Sequence, residues 1–128
     1  RYGYIEMLYQ ALLHYNDMIM NFDKIVIIGD FNSNAIWDNK HNKYGSHSAM
    51  VSFLAKHDVE SVYHKLSNKC HGNENLPTFY LHRNQEKPYH IDYCFLSTEL
   101  FSDHTKFEVG KTEEWIIYSD HVPIIVEI

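Results

Sequence analysis

The sequence predicts a single α/β unit, in which a mixed β-sheet carries helices on one face. Three observations predict this class. Apolar residues recur at helical spacing near the start, a β-branched apolar run follows at 24–29, and apolar and polar residues alternate over 89–96. The length of 128 residues suits one domain.

The first half of the chain alternates between helix and strand signals. Residues 24–29 form a continuous apolar run, which predicts a strand buried on both faces. After a polar loop over 30–45, Ser46 or Ser48 offers an N-cap for a helix that ends at His57. The first helix is predicted by five side chains at spacings of three, four and seven: Ile5, Leu8, Tyr9, Leu12 and Ile19.

The second half contains most of the strand signals. A polar loop over 65–76 and a helical turn at 98–103 separate them. The predicted strands are 59–64, 78–82, 89–96, 107–109 and 122–128. The segments 78–82 and 89–96 form a hairpin, and a period of two places His90 and Asp92 on the same face of the second strand.

Composition excludes several classes of protein. Apolar residues make up 45% and charged residues 22%, which excludes disorder. A formal net charge of -6 argues against a strongly basic nucleic-acid or membrane-surface binder. There is no apolar run of about 18 residues, so no membrane span is predicted. We expect a cytoplasmic protein.

Three places break local rules and are candidates for chemistry. Asp30 and Asn32 directly follow the first strand, where layered α/β folds bind ligands, although a turn role for Asp30 is the alternative. Asp92 lies inside a strand, where Asp is disfavoured, and its alternative is a structural hydrogen bond. Asp120 and His121 precede an apolar run, and their alternative is an ordinary polar strand entry.

The donor types at these places predict a metal. Carboxylate and amide oxygens favour Mg²⁺ or Mn²⁺ over zinc. A carboxylate behind a histidine fixes the tautomer of the ring, which suits acid–base chemistry. A divalent ion with such a dyad suits attack of water on phosphorus.

A zinc site is the competing interpretation, because the chain has ten histidines. Cys70 and Cys94 are the two cysteines, and the adjacent Cys70 and His71 are candidate ligands for such a site. No C-x-x-C or H-x-x-x-H pairing supports it. The alternative is a buried thiol at Cys94 and a loop thiol at Cys70.

Three segments, IVIIGDFNSN, PTFYLHRNQEKPYHIDYCFLS and YSDHVPIIVEI, resemble the last three motif blocks of the endonuclease/exonuclease/phosphatase superfamily. This superfamily includes apurinic endonucleases, deoxyribonuclease of the pancreatic type, inositol-polyphosphate phosphatases and sphingomyelinases. The resemblance spans 25–128 and is greatest to uncharacterised bacterial members. It implies the C-terminal half of a four-layer α/β sandwich and a Mg²⁺-dependent phosphoesterase of nuclease type.

The resemblance also implies roles for the matching residues. Asp30 would bind the metal and orient or deprotonate the attacking water, and Asn32 would position that water and a phosphate oxygen. Asp92 would hydrogen-bond His121, which contacts the scissile phosphate, and Asp120 would be a metal-site carboxylate. Either Asp30 or His121 is the base.

Three further residues are expected around the substrate. His90 would be a supporting phosphate contact. Trp37 and His82 are candidates for the wall of the substrate groove, and Trp37 is equally a candidate for an anchor of its loop.

The family's N-terminal half is expected to be absent from this chain. That half normally carries an Asn after its first strand and a Glu that is the principal metal ligand, and neither motif occurs here. We therefore expect a fragment, inactive alone, with an incomplete metal site. An apolar sheet face formed by Tyr89, Ile91, Tyr93 and Phe95 or their neighbours would then be open and pair two copies as a homodimer.

Three function classes follow. The first is the phosphoesterase, acting on DNA, RNA, a phosphoinositide or another phosphate ester. The second is a non-catalytic half-domain or pseudoenzyme that acts through association. The third is a nucleic-acid-binding module, against which the net charge of -6 weighs.

Overall fold

Short helices and strands make up residues 3–39 and 44–128, which the computed structural model describes. In chain order they are α1 (Tyr4–His14), α2 (Asn16–Ile19), β1 (Val26–Asp30), α3 (His47–Lys56), β2 (Val59–Ser61), α4 (Val62–Ser67), β3 (Phe79–Tyr80), β4 (Pro88–Tyr89), β5 (Asp92–Ser97), β6 (Lys106–Val109), α5 (Thr112–Trp115) and β7 (Ile124–Glu127). Among these described elements, none is a helix with the length and apolar character needed to cross a bilayer. The α/β class is confirmed.

A three-stranded antiparallel sheet, in the order β1–β5–β2, forms the centre of the fold. The hairpins β3–β4 and β6–β7 form two smaller antiparallel sheets. The described strands therefore pair in antiparallel ladders rather than in the mixed directions that the sequence predicted. An apolar run indicates a buried strand but does not specify the direction of its neighbours.

Strand β5 is buried on both faces. On one face Tyr93 and Phe95 pack under α1 and α3, but Val62 of α4 packs on the other face, so the prediction that helices lie on one face was wrong. On the other face Cys94 and Leu96 pack against Val62 and the inner side of the β6–β7 hairpin. Phe95 and Leu96 are 0% exposed, and burial of each stabilises the fold by roughly 1.5–3 kcal/mol.

The open apolar surface lies on β1 and not where the sequence placed it. Ile91, Tyr93 and Phe95, expected on an open face, are at most 2% exposed. Val26 and Ile28 are instead 50% and 55% exposed, so the expectation that this strand is buried on both faces was wrong. The reason is that β1 is an edge strand, and the layer over Cys94 and Leu96 stops short of it.

Two predicted strands are divided in the structure. The segment 59–64 leaves the sheet after Ser61 and becomes α4, which ends at the left-handed Asn68, φ 55°. The segment 89–96 is interrupted because β4 pairs with β3 whereas β5 pairs with β1. His90 lies in this interruption.

The helix start at Ser46 is confirmed. The Ser46 Oγ accepts a hydrogen bond from the Ala49 N–H at 3.0 Å, which satisfies a donor in the first turn of α3. Part of the predicted polar loop, residues 40–43, lies outside the described residues.

Candidate active site

Two carboxylates face each other at the end of the β1–β5 ladder. Asp30, the last residue of β1, pairs in register with Asp92, the first residue of β5. Like charges directly opposite each other destabilise an antiparallel pair. This pair therefore needs a positive or hydrogen-donating group beside it.

The imidazole of His121 lies between the two carboxylates. Its Nδ1 is 3.0 Å from Oδ2 and 3.2 Å from Oδ1 of Asp92. Its Nε2 is 3.8 Å from Oδ2 of Asp30. An ionised carboxylate only accepts hydrogen bonds, so Nδ1 carries the hydrogen and Nε2 faces Asp30. One ligand atom from each of the three residues lies within 4.8 Å of the others.

Thr78 is a second hydrogen-bond donor to Asp92, besides His121. The Thr78 hydroxyl donates to Oδ2 of Asp92 at 2.7 Å, and its oxygen accepts from the backbone N–H groups of Ile91 and Asp92, each at 3.1 Å. Thr78 is 0% exposed. The sequence reasoning gave this residue no role, because a Thr at the start of a strand is common and carries no distinct signal.

Asn32 folds back onto Asp30. The backbone N–H of Asn32 donates to Oδ1 of Asp30 at 2.7 Å, and its Nδ2 donates to Oδ2 at 3.2 Å. Its φ of 47° lies in the left-handed region, which Asn tolerates better than most residues. The turn role considered for Asp30 is therefore realised, and it sets the exposed Asn32 amide beside the carboxylate.

The three residues differ in their access to solvent. The side chain of Asp92 is 13% exposed, against 36% for Asp30 and 32% for His121. Burial raises the pKa of Asp92, while the hydrogen bonds from Thr78 and His121 oppose that rise. A ligand can therefore contact Asp30 and the Nε2 of His121, whereas the less exposed Asp92 contacts the Nδ1 of His121 and orients the ring.

Asp120 and His90 are not brought into this group. The side chain of Asp120 is half-buried, and its backbone oxygen accepts from the Tyr80 N–H at 2.8 Å. His90 is 4% exposed and donates its Nδ1 hydrogen to the Leu76 oxygen at 2.7 Å. The structure does not support the predicted phosphate contact by His90, because the break after β4 turns this residue inward.

Trp37 lies near the group, whereas His82 stands apart. Trp37 and Asn32 line the same pocket of about 220 Å³. The Trp37 ring also packs on Tyr89, with 5.3 Å between the ring centroids, so it anchors its loop as well. His82 is exposed in the connection between β3 and β4.

No protein-family model matches the chain, and no curated protein matches it. The fold and the site define an α/β protein with a carboxylate–histidine group at one end of its central antiparallel sheet.

Proposed function

We propose that this chain carries the acid–base half of a metal-dependent phosphoesterase, which hydrolyses a phosphodiester by attack of water. The observation that carries the proposal is that ligand atoms of Asp30, Asp92 and His121 lie within 4.8 Å of one another. Such a group combines a buried orienting carboxylate, an imidazole and an exposed carboxylate. The resemblance of the surrounding segments to the endonuclease/exonuclease/phosphatase superfamily supports the same class.

The donors around Asp30 fit a hard divalent ion. Asp30 is the more exposed of two facing carboxylates, and its Oδ2 accepts a hydrogen bond from the Nδ2 of Asn32. Oxygen donors of this kind suit Mg²⁺ or Mn²⁺. We assign Asp30 as the ligand; the resemblance also implies Asp120 as a metal-site carboxylate, although Asp120 lies outside the group formed by Asp30, Asp92 and His121. When bound, the ion would neutralise phosphate charge and polarise the phosphorus–oxygen bond.

The chain's own residues would handle the protons. A water oxygen bonds to phosphorus while the bond from phosphorus to the leaving oxygen breaks. The water proton passes to Asp30 or to the Nε2 of His121, which are 3.8 Å apart, and the leaving oxygen takes a proton from solvent. Asp92 keeps the hydrogen on Nδ1, which leaves Nε2 available for this exchange.

Turnover by the chain alone is not expected. The predicted metal site lacks the Glu that is the family's principal ligand, so we expect weak ion binding here, and hydrolysis only when a segment that supplies this Glu is present. With that segment the protein would cleave bis-p-nitrophenyl phosphate or abasic DNA with Mg²⁺. Activity that survives a chelator, or survives His121→Ala, would defeat the proposal.

Ion binding is testable on this chain directly. Mn²⁺ titrated into isotope-labelled protein should first broaden the amide resonances of Asp30, Asn32 and His121, because paramagnetic relaxation falls steeply with distance. Asp30→Asn should abolish this broadening. Asp23→Asn removes the same charge at an exposed position before the start of β1 and should leave the broadening intact. Broadening centred elsewhere would count against the assignment.

Association of two copies is the second candidate function. It is favoured by Val26 and Ile28, which stay half-exposed on an edge strand. Two copies joined through this face would cover apolar surface that a monomer leaves in water. Light scattering at micromolar concentration should give a dimer that Ile28→Asp dissociates. Ile125→Asp, at a similarly exposed position on β7, should not, and a wild-type monomer would rule the dimer out.

A further inference from the structure

A second group of metal-binding side chains lies apart from the candidate active site. We define it as the histidine cluster: His47, His64, His71 and Glu74. His64 belongs to α4, His47 to α3, and the other two to the connection between α4 and β3. The rings of His64 and His71 stack, with 3.5 Å between their centroids and 14° between their planes.

His64 and His71 each have a hydrogen-bond partner at Nδ1. The Nδ1 of His64 is 2.7 Å from the Ser61 Oγ, and the Nδ1 of His71 is 2.9 Å from the Nε2 of His47. In turn, His47 contacts the Ser33 Oγ at 3.1 Å. Outer contacts of this kind orient ligating imidazoles in metal sites and select their tautomer.

Glu74 carries a charge in a buried place. Its side chain is 4% exposed, and it accepts hydrogen bonds from the backbone N–H of Gly72 and from Asn34, besides its 2.9 Å contact with the Nε2 of His64. Within the described ranges, no Lys or Arg pairs with it. The donors around this buried carboxyl are therefore an imidazole, a side-chain amide and a backbone N–H, and a metal ion could supply a positive charge here.

We propose that His64, His71 and Glu74 bind one divalent transition-metal ion of the zinc class. One ligand atom from each lies within 4.8 Å of the others. Two imidazole nitrogens and one carboxylate oxygen are a recurrent zinc donor set, and such a set leaves a fourth position for water. The donors are softer than those around Asp30, so the two sites select different ions.

Metal binding requires a local rearrangement. Zinc bonds of about 2.0–2.2 Å in tetrahedral geometry place ligand atoms ~3.4 Å apart, so the three residues must close in. Stacked rings cannot both direct an in-plane lone pair at one ion, so one ring must turn. His71 is the one that turns, because it is half-buried in a connecting segment whereas His64 is fixed in α4.

A pocket beside the histidine cluster gives an ion access to the site, and a bound ion would link separate segments of the chain. His64 and His71 line a pocket of about 390 Å³, through which an ion and its water can arrive. A bound ion would join α4 to the segment that holds His71 and Glu74. Because Asn34 donates to Glu74, the ion would also restrain the loop that follows β1.

Cobalt is the probe for this site, because tetrahedral Co²⁺ with nitrogen ligands absorbs visible light. Co²⁺ titrated into the protein should give a visible absorption band that saturates at one ion per chain. Zn²⁺ should abolish this band and raise the midpoint temperature of unfolding. His71→Gln and Glu74→Gln should each lose the band. His104→Gln, at an exposed histidine outside the cluster, should retain it.

A further variant separates this site from the proposed hydrolytic one. Asp30→Asn should lose Mn²⁺ broadening but keep the cobalt band, so either site can fail without the other. If His64 and Glu74 instead share a proton as a purely structural pair, wild-type protein will give no band, and that result overturns the proposal. A band that persists in His71→Gln and Glu74→Gln overturns it as well.

Discussion

The hydroxyl of Thr78 donates to Oδ2 of Asp92 at 2.7 Å, the same oxygen that lies 3.0 Å from the Nδ1 of His121. One oxygen of Asp92 thus has two donors, one from each of these residues. Thr78 therefore helps to orient His121 indirectly, through Asp92. Among the described residues, no hydrogen bond joins Thr78 to the imidazole ring itself.

Thr78→Val should destabilise the fold by about 1–3 kcal/mol. The change keeps the shape of the side chain but leaves the buried N–H groups of Ile91 and Asp92 without their acceptor. Urea unfolding measures the loss. Thr98→Val is the control, since no described residue hydrogen-bonds the hydroxyl of this half-buried Thr. Equal losses in the two variants would contradict the role assigned to Thr78.

Asp92→Asn should change the tautomer of His121. In the wild type the carboxylate accepts the Nδ1 hydrogen, whereas an amide NH₂ can donate to Nδ1 and move the hydrogen to Nε2. Long-range ¹H–¹⁵N NMR of the ring nitrogens reports the tautomer without any need for activity. The same tautomer in both proteins would show that Asp92 does not select it.

Tyr93→Phe should loosen the loop that carries Asn32. The Tyr93 hydroxyl donates to the backbone oxygens of Ser33 and His90, and it accepts from Asn34. Its removal leaves buried polar groups unpaired, which costs about 1–3 kcal/mol. Amide hydrogen exchange should accelerate at Ser33 and Asn34. Tyr15→Phe, at a half-exposed ring, should leave exchange at these amides unchanged.

The metal-free protein should lose stability as the pH falls from 6.5 towards 4. Burial lowers the pKa of His47 from 6.5 to about 4 and, together with His64, lowers that of His71 to about 3. Between these values and 6.5 the unfolded chain binds more protons than the folded one, so stability declines by about 1.4 kcal/mol per pH unit for each group.

Glu74 extends this acid loss below its unfolded pKa of 4.5, because its folded pKa is about 2. Asp92, with a raised pKa, acts in the opposite direction. Urea midpoints across this pH range measure the net slope. His71→Gln should flatten the slope, and an unchanged slope would show that His71 is not held neutral in the fold.

The acidic part of the site was predictable because its signals are local. An Asp and an Asn directly after an apolar run, and an Asp inside a strand, are unusual at those positions, so Asp30, Asn32 and Asp92 stand out. His121 stood out through its neighbours in the segment YSDHVP. The structure brings these four side chains together from three separate parts of the chain.

The inward turn of His90 was not predictable from its alternation with Asp92. That reasoning requires one continuous strand, and the pairing of β4 with β3 interrupts it. The start of α4 was missed for a related reason. Val62 has high strand propensity, but it is buried against Leu96 rather than paired in the sheet.

The histidine cluster was hidden because His64, His71 and Glu74 follow no common zinc spacing and His47 lies in a different part of the sequence. His47 and His71 are 24 residues apart, yet their rings are hydrogen-bonded. The zinc interpretation began from Cys70 with His71, and the group in the structure uses His71 without either cysteine. The three proposed ligands lie within residues 64–74, but their spacing matches neither C-x-x-C nor H-x-x-x-H, so the usual zinc patterns miss them.

The pairing of Asp30 with Asp92 is the last rung of the ladder that also pairs Val26 with Leu96. A slip of one residue in this register would turn Ile27 outwards and Ile28 inwards, and it would also move the two carboxylates out of alignment. The alternation of apolar side chains along β1 thus fixes the spacing of the carboxylates. Ile27 is not one of the site residues, yet its substitution should impair the site by shifting the register of β1 against β5.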